Sequence, residues 1–327
     1  MRQSKKHCVF FRTNDILTFS LVDYRNNYFI SDDPNKIIEV YNGFDNSDEL
    51  IQWLKERPKG VANIHEVEGD KDIIVVIPTA DFNGKYAREC RDNIFKGLHI
   101  IFVESGEVPD PYFNYAHNCN VGIKKAMEYS PKWIIVSNDD MYKIDDVDVL
   151  TRELSSINHD VIMSVFAVPS RYHSLDAFIG RRRLFLTEIA SYLFFLKVKK
   201  LPYWKIKRRI QKKYNYAISW RHGVGSSSLP RILRRRSYFF KLTSSFAILS
   251  SNFCKNRIDI FNETYVNGYE DWELSLELSR LKWTSINYRI GDYIGTSMGI
   301  GLRRDSRDLA NLFYLDKRVD EILSTKG

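Results

Sequence analysis

From Asp72 onward, short unbroken apolar runs alternate with stretches whose apolar residues recur at helical spacing. Ile73–Ile77, Leu98–Val103, Trp133–Ser137 and Val161–Val168 are rich in Ile, Val, Leu and Phe. Such runs, with no polar alternation, predict strands covered on both faces. Tyr86–Phe95, Asn114–Tyr129 and Asp145–Ile157 lie between them and read as helices. Strand and helix in turn imply an α/β fold with a largely parallel sheet. The first three runs end in Thr79, Glu104 and Asn138-Asp139-Asp140. Parallel strands would gather these polar ends on one rim, where open α/β sheets bind ligands.

The pattern differs on either side of this stretch. Residues 1–70 predict a small N-terminal α/β segment. Its expected elements are short strands at His7–Arg12 and Leu17–Tyr24 and a helix over Asp48–Lys55, capped by Asn46 or Ser47 and ended by Pro58 and Gly60. After Val168 the regular rhythm stops and returns at Leu242–Ser250, a further strand. A helix is expected from Glu270 to Leu281, with Leu274, Leu278 and Leu281 in one stripe and Trp272 and Leu276 beside it.

The chain has 327 residues, 44% of them apolar. That suits one large embellished α/β domain or two domains, and excludes a disordered chain. Cys8, Cys90, Cys119 and Cys254 are scattered, with no Cys-x-x-Cys or Cys/His cluster. This argues against a zinc site or disulfide framework and for a reducing, cytoplasmic compartment. The apolar stretch Cys8–Phe11 is too short for a secretory signal. No run reaches the roughly 18–20 apolar residues of a spanning helix.

Charge is uneven. Between Arg181 and Arg236 there are 17 Lys or Arg and one acid, Glu188, a net +16 in a chain of net +8. Leu184–Leu196 is apolar and aromatic between basic clusters, and Tyr203 and Trp204 sit among Lys and Arg. Such a mixture predicts a basic, amphipathic helical insertion lying on an anionic membrane surface at the cytoplasmic face. The alternative is a helical embellishment with a solvated basic face.

Asp139 and Asp140 follow a buried-looking strand directly. Adjacent carboxylates repel unless a cation joins them, and hard oxygen ligands suit Mg²⁺ or Mn²⁺ arriving with a phosphorylated substrate. The plain alternative is turn chemistry, since Asn-Asp-Asp is ordinary after a strand. Glu270 and Asp271 have a plain reading too, as first-turn carboxylates that complement a helix dipole.

Four pieces, in order, resemble glycosyltransferases of the GT-A fold, in particular the inverting enzymes of family 2: Ile74-Val75-Val76-Ile77-Pro78-Thr79; Phe102-Val103-Glu104-Ser105-Gly106; Asn120 to Ala126 with Ile134 to Asp140; and Phe261-Asn262-Glu263 with Tyr269 to Leu274. The resemblance implies a Rossmann-like, mostly parallel sheet flanked by helices. It implies donor-binding roles for Pro78, Thr79, Glu104, Asn120, Asn138 and Asp139, with Asp140 and Asp139 holding Mg²⁺ or Mn²⁺. It implies Asp271 as the base for a hydroxyl acceptor, lipid-linked or a glycan, supported by Glu270. Arg303, Arg304 and Arg307 follow Met298-Gly299-Ile300-Gly301 and are expected over the pyrophosphate. The sequence departs from the family at Gly295, where a metal-supporting His is usual; Asp292 is the nearby carboxylate that could compensate.

The expected divisions are 1–70 (accessory segment), 71–180 (donor half), 181–240 (basic insertion), 241–302 (acceptor half) and 303–327 (C-terminal basic loop and helix). A nucleic-acid-binding protein using the basic segment, or a non-catalytic subunit of the same fold, are the competing readings. The first leaves the strand-end carboxylates unexplained. A nucleotidyltransferase fits less well, because Ala80 to Lys85 carries only one Gly and one Lys.

Overall fold

A computed structural model describes residues 32–106, 112–168, 172–178, 193, 196, 201–224, 234–242, 245–255, 257–293 and 301–324. The expected strands at His7–Arg12 and Leu17–Tyr24 lie outside the described residues.

The strands are β1 (Asn63–Val67), β2 (Asp70–Thr79), β3 (Leu98–Glu104), β4 (Trp133–Ser137), β5 (Met141–Lys143), β6 (Ser164–Val168), β7 (Tyr172–Phe178), β8 (Trp220–Val224), β9 (Arg234–Lys241), β10 (Phe246–Ser250) and β11 (Trp283–Asp292). Eight form one sheet in the order β1-β3-β2-β4-β10-β6-β11-β5, and three form a second, β8-β7-β9. The large sheet is mixed rather than mostly parallel. β3, β2 and β4 run together and β6 runs with β11, while β10 returns antiparallel between β4 and β6. The chain enters β10 from the insertion side without a crossover helix. β1 and β5 add antiparallel edges.

The apolar runs are strands because both faces are covered. Ile73, Val75, Ile77, Ile100, Phe102, Trp133, Ile135 and Ile248 face one core. Their neighbours Ile74, Val76, Ile101, Val103, Ile134, Val136, Ala247 and Leu249 face the other. This is the two-residue side-chain period of a strand, used on both sides. The first core is closed by α3 (Lys85–Glu89), its π-helical continuation Cys90–Ile94, and α5 (Val147–Ser155). The second is closed by α4 (Tyr115–Met127) and the short α7 (Ser251–Cys254). α4 lies close on the sheet at Gly122, where a Cβ would stand 2.3 Å from Val76 Cγ1 and 2.9 Å from Val103 Cγ2.

A third core lies beyond α8 (Glu270–Leu278). Leu274 and Leu278 of α8 face the sheet, with Leu281 packed alongside, as the stripe predicts. Trp272 and Leu276 face this third core, so α8 is buried on both sides. The core also takes α1 (Pro34–Asn42), α2 (Ser47–Glu56), α6 (Leu201–Lys213), α9 (Gly301–Ser324) and the inner face of the second sheet. α1 begins at Pro34, a favoured first helical position, with Asp33 capping Asn35 N. α2 is the expected helix, capped by Asn46 through Asp48 N and Glu49 N.

The insertion is therefore only partly helical. α6 is a helix, but β8 and β9 pair with β7 across the expected boundary at 181. On β9, Tyr238 and Phe240 turn inward while Phe239 is exposed, a strand alternation that a helical reading of the basic run does not anticipate. Of Leu184–Leu196 only Leu193 and Leu196 are among the described residues. Among those residues no helix is long and apolar enough to cross a membrane.

Candidate active site

Thr79 ends β2 and Asn138-Asp139-Asp140 follow β4, and parallel pairing of the two strands brings these ends together. Thr79 Oγ1 donates to Asp139 Oδ2 at 2.7 Å. Burial, and then the Asp140 charge, push the Asp139 carboxyl above its ordinary range, while the Thr79 hydrogen bond pulls the other way. Cys90 Sγ donates to Asp139 O. The Asp140 carbonyl accepts from Tyr293 N at 2.9 Å. Asp292, paired with Met141, accepts from Ser245 Oγ at 3.2 Å, and Asn138 N donates to Ser245 O. Asp292 thus shares the rim with Asp139 and Asp140; Gly295 lies outside the described residues.

Asp139, Asp140 and Asp292 supply hard carboxylate oxygens, the donor chemistry of Mg²⁺ or Mn²⁺. Burial is the main cause of the raised proton affinity of Asp139, and the Asp140 charge adds to it; a cation would oppose both. Among the described residues no three or more His, Cys, Asp or Glu side chains are grouped closely enough to hold a metal ion, so Asp139, Asp140 and Asp292 do not form such a group.

Glu104 closes the third strand end. Its Oε1 accepts from Phe82 N at 2.9 Å and its Oε2 pairs with His65 Nε2 at 2.9 Å. The Phe82 N–H holds the Glu104 carboxyl below its ordinary range against a smaller desolvation effect, with His65 adding to the first. His65 stacks on Phe82 at 4.5 Å between centroids, and Arg91 lies over the same ring. Pro78 is buried in β2, paired with Val103.

Glu270 and Asp271 open α8. The preceding turn is strained: Asn267 and Tyr269 both have left-handed backbones, with φ of 49° and 75°. Groups from three elements hold it. Asn311 of α9 bonds Val266 N, Val266 O and Gly268 O. Tyr115 N donates to Asn267 Oδ1. The Tyr269 hydroxyl meets His222 Nε2 of β8. Burial, then the Lys207 charge, push the His222 imidazole down to about 3, so the ring meets the phenol uncharged. Trp272 receives rings from every strand of the second sheet: His173 at 3.9 Å, His222 at 4.6 Å and Phe240 at 6.0 Å.

Glu270 is buried and accepts from Gly268 N at 2.7 Å. Burial and the neighbouring Asp271 raise its carboxyl strongly. Asp271 is half-buried and also raised, chiefly by burial, with Arg304 opposing. Arg304, in the first turn of α9, is half exposed and 3.7 Å from Asp308.

One residue ties the two acidic patches together. The Tyr115 hydroxyl donates to Asn138 Oδ1 at 2.9 Å. The same phenol, raised first by burial, lies within range of the Glu270 and Asp271 charges. Tyr115 follows Asn114, whose side chain caps α4 at His117 N and reaches Glu263 O and Tyr265 O.

Two expected ligand-contacting residues have other occupations. Asn120 is 2% exposed; its amide bonds Phe261 O and Glu263 Oε1, and its oxygen accepts from Ile260 N and Phe261 N. It fastens α4 to the segment leading into α8 rather than facing the strand rim. Arg307 is 2% exposed, in the interior of α9, because helical periodicity from 301 turns it inward. The side chain of Arg303 lies outside the described residues. No sequence pattern marks Tyr115, His222 or Asn311, and Tyr269 enters only as the first residue of the acceptor-side motif. The turn dipeptide Asn267-Gly268 was the available signal for the strained turn.

No family model matches the chain, and no curated protein or solved structure matches it.

Proposed function

We propose that this chain is an inverting glycosyltransferase of GT-A type, moving a sugar from a nucleoside-diphosphate sugar to a hydroxyl acceptor, lipid-linked or a glycan. The observation that carries the reading is the convergence of Thr79–Asp139 and Glu270–Asp271 on the two sides of Tyr115. A strand-end carboxylate pair and a raised carboxylate joined through one tyrosine suit a reaction that needs a charged leaving group on one side and a base on the other. The strand order, with one antiparallel strand set among parallel ones, is compatible with it.

Asp140 and Asp139, with Asp292 beside them, are the residues to hold Mg²⁺ or Mn²⁺ with the donor pyrophosphate. A bound ion supplies Lewis acidity toward the departing diphosphate. Thr79 fixes the orientation of the Asp139 carboxylate through its hydroxyl. Asp271 takes the proton of the acceptor hydroxyl as that oxygen attacks the anomeric carbon. The bond to the diphosphate breaks on the opposite face, and the configuration inverts. The raised proton affinity of Asp271 makes it a stronger base than an exposed carboxylate while leaving it ionised in part near neutral pH. Glu270, holding its proton more tightly, keeps the Gly268 turn closed beneath it. Arg304 offers a cation next to Asp271.

The test is a screen of UDP-, GDP- and dTDP-sugars for release of the nucleoside diphosphate, with and without Mn²⁺ or Mg²⁺. Metal-dependent turnover of one donor that falls by about 10³-fold or more in Asp271→Asn supports the reading. Turnover of none, or equal turnover in the variant, removes it.

A further inference from the structure

α6 carries two opposite faces. Tyr203, Ile206 and Ile210 are buried in the third core. Lys205, Arg208, Arg209 and Lys212 are all exposed. Their spacing of three, four and seven residues places them on one stripe. The helix contains no acidic residue to offset them. Like charges at this spacing destabilise a helix by a few tenths of a kcal/mol per pair, so the stripe works against the fold that bears it. Just upstream, Leu193 and Leu196, both helical and one turn apart, stand 56% and 49% exposed. The helix thus offers water its basic side, while its own apolar side packs in the core.

We infer that this chain docks on an anionic phospholipid bilayer through the cationic stripe Lys205, Arg208, Arg209 and Lys212, with Leu193 and Leu196 entering the headgroup layer. Attachment is electrostatic first, by the face of α6 opposite its core-packed residues. Clustered cations next to a bilayer attract anionic headgroups, and the attraction is screened within a Debye length. A nucleic acid would also satisfy the cations, but it gives no role to half-exposed leucines; hydrocarbon does. The inner face of the same helix borders the candidate acceptor side. Tyr203 lies within range of the Asp305 and Asp308 charges, and Asp308 pairs with Arg304 beside Asp271. A docked helix therefore sets the Asp271 side of the cleft near the bilayer, and the acceptor becomes a lipid-linked hydroxyl; that last consequence rests on the proposed transferase reading, and the docking does not.

The experiment is co-sedimentation of the full chain with vesicles of neutral phosphatidylcholine, and of the same lipid mixed with phosphatidylserine, at low and at high salt. Binding is expected to the anionic vesicles only, and to be lost at high salt. The variant Lys205→Gln/Arg208→Gln/Arg209→Gln/Lys212→Gln should melt at or slightly above the parental temperature and bind about 600-fold more weakly, roughly fivefold for each of the four cations removed. Leu193→Ser/Leu196→Ser should bind more weakly with its salt dependence intact. Failure of the parent to bind, equal binding to neutral vesicles, or unchanged binding by the four-residue variant overturns the inference. So does tight binding to single-stranded RNA with none to vesicles. No nucleotide sugar is present in these assays, so their outcome is separate from that of the donor screen.

Discussion

The Tyr115 hydroxyl donates to the Asn138 side-chain oxygen at 2.9 Å, from the first turn of one helix to the residue before two strand-end carboxylates. Asn138 belongs to the Asp139–Asp140 patch, and Tyr115 borders Glu270 and Asp271. Tyr115 thus touches one acidic patch through a hydrogen bond and feels the charge of the other. Tyr115→Phe keeps the ring and deletes the bond. It should cost about 1 kcal/mol of stability, the net worth of one hydrogen bond. If Asn138 helps orient donor groups, donor affinity should fall by more than that loss explains. Denaturant unfolding and donor titration on the same variant check the two effects.

The turn before α8 persists against its own backbone preference. Left-handed conformations cost a non-glycine residue about 1–2 kcal/mol, and Asn267 and Tyr269 both adopt one. Asn311 answers with three hydrogen bonds to Val266 and Gly268. Asn311→Ala should destabilise by about 2–4 kcal/mol, since it leaves buried backbone groups unmet. Amide hydrogen exchange at Val266 and Gly268 should accelerate more than in the strands of the large sheet.

Glu270 gives stability a pH signature. Its folded carboxyl is raised above the ordinary range near pH 4, so the folded chain holds the proton more tightly than the unfolded one. The stabilisation this provides is fully present below that ordinary value. It is lost as pH rises through the raised one. Glu270→Gln removes the titration while keeping an oxygen for Gly268 N. The variant should match the parent near pH 4 and exceed it in melting temperature at neutral pH and above. A parallel pair of melting curves against pH would show no divergence if Glu270 titrates normally.

Gly122 permits close packing of α4 on the sheet. A methyl group there would overlap Val76 and Val103, at 2.3 Å and 2.9 Å. Gly122→Ala should cost about 1–3 kcal/mol as an overpacked core site, even though alanine favours the helix by up to about 1 kcal/mol. A rise in stability would mean that the helix stands farther from β2 than described.

Much of the large sheet was legible because it is built from runs that bury both faces. Ile73–Ile77, Leu98–Val103 and Trp133–Ser137 fall within strands, and the polar residues at their ends meet on one rim. The direction of β10 was not legible: an apolar run such as Phe246–Ser250 carries no mark of which way its neighbours point, and the chain reaches it from an insertion of irregular length. The second sheet was hidden by charge. Arg234-Arg235-Arg236 dominates the composition of β9, yet its inward residues Tyr238 and Phe240 are what the fold uses. Residues that act across long separations were also hidden. His222 reaches Tyr269 and Asn311 reaches Gly268 because of tertiary packing, and no local pattern marks either. Asn120 sits within a motif that resembles a donor-binding segment, but its neighbours in space make it a clamp.

The most direct measurement is calorimetric titration of UDP-, GDP- and dTDP-sugars, with Mn²⁺ present or chelated, into the parent chain, Asp140→Ala and Asp271→Asn. The account predicts metal-dependent binding of one donor class to the parent and to Asp271→Asn, and its loss in Asp140→Ala. Binding of that donor to Asp140→Ala as tightly as to the parent, or binding of none of the donors to any of the three, would contradict it.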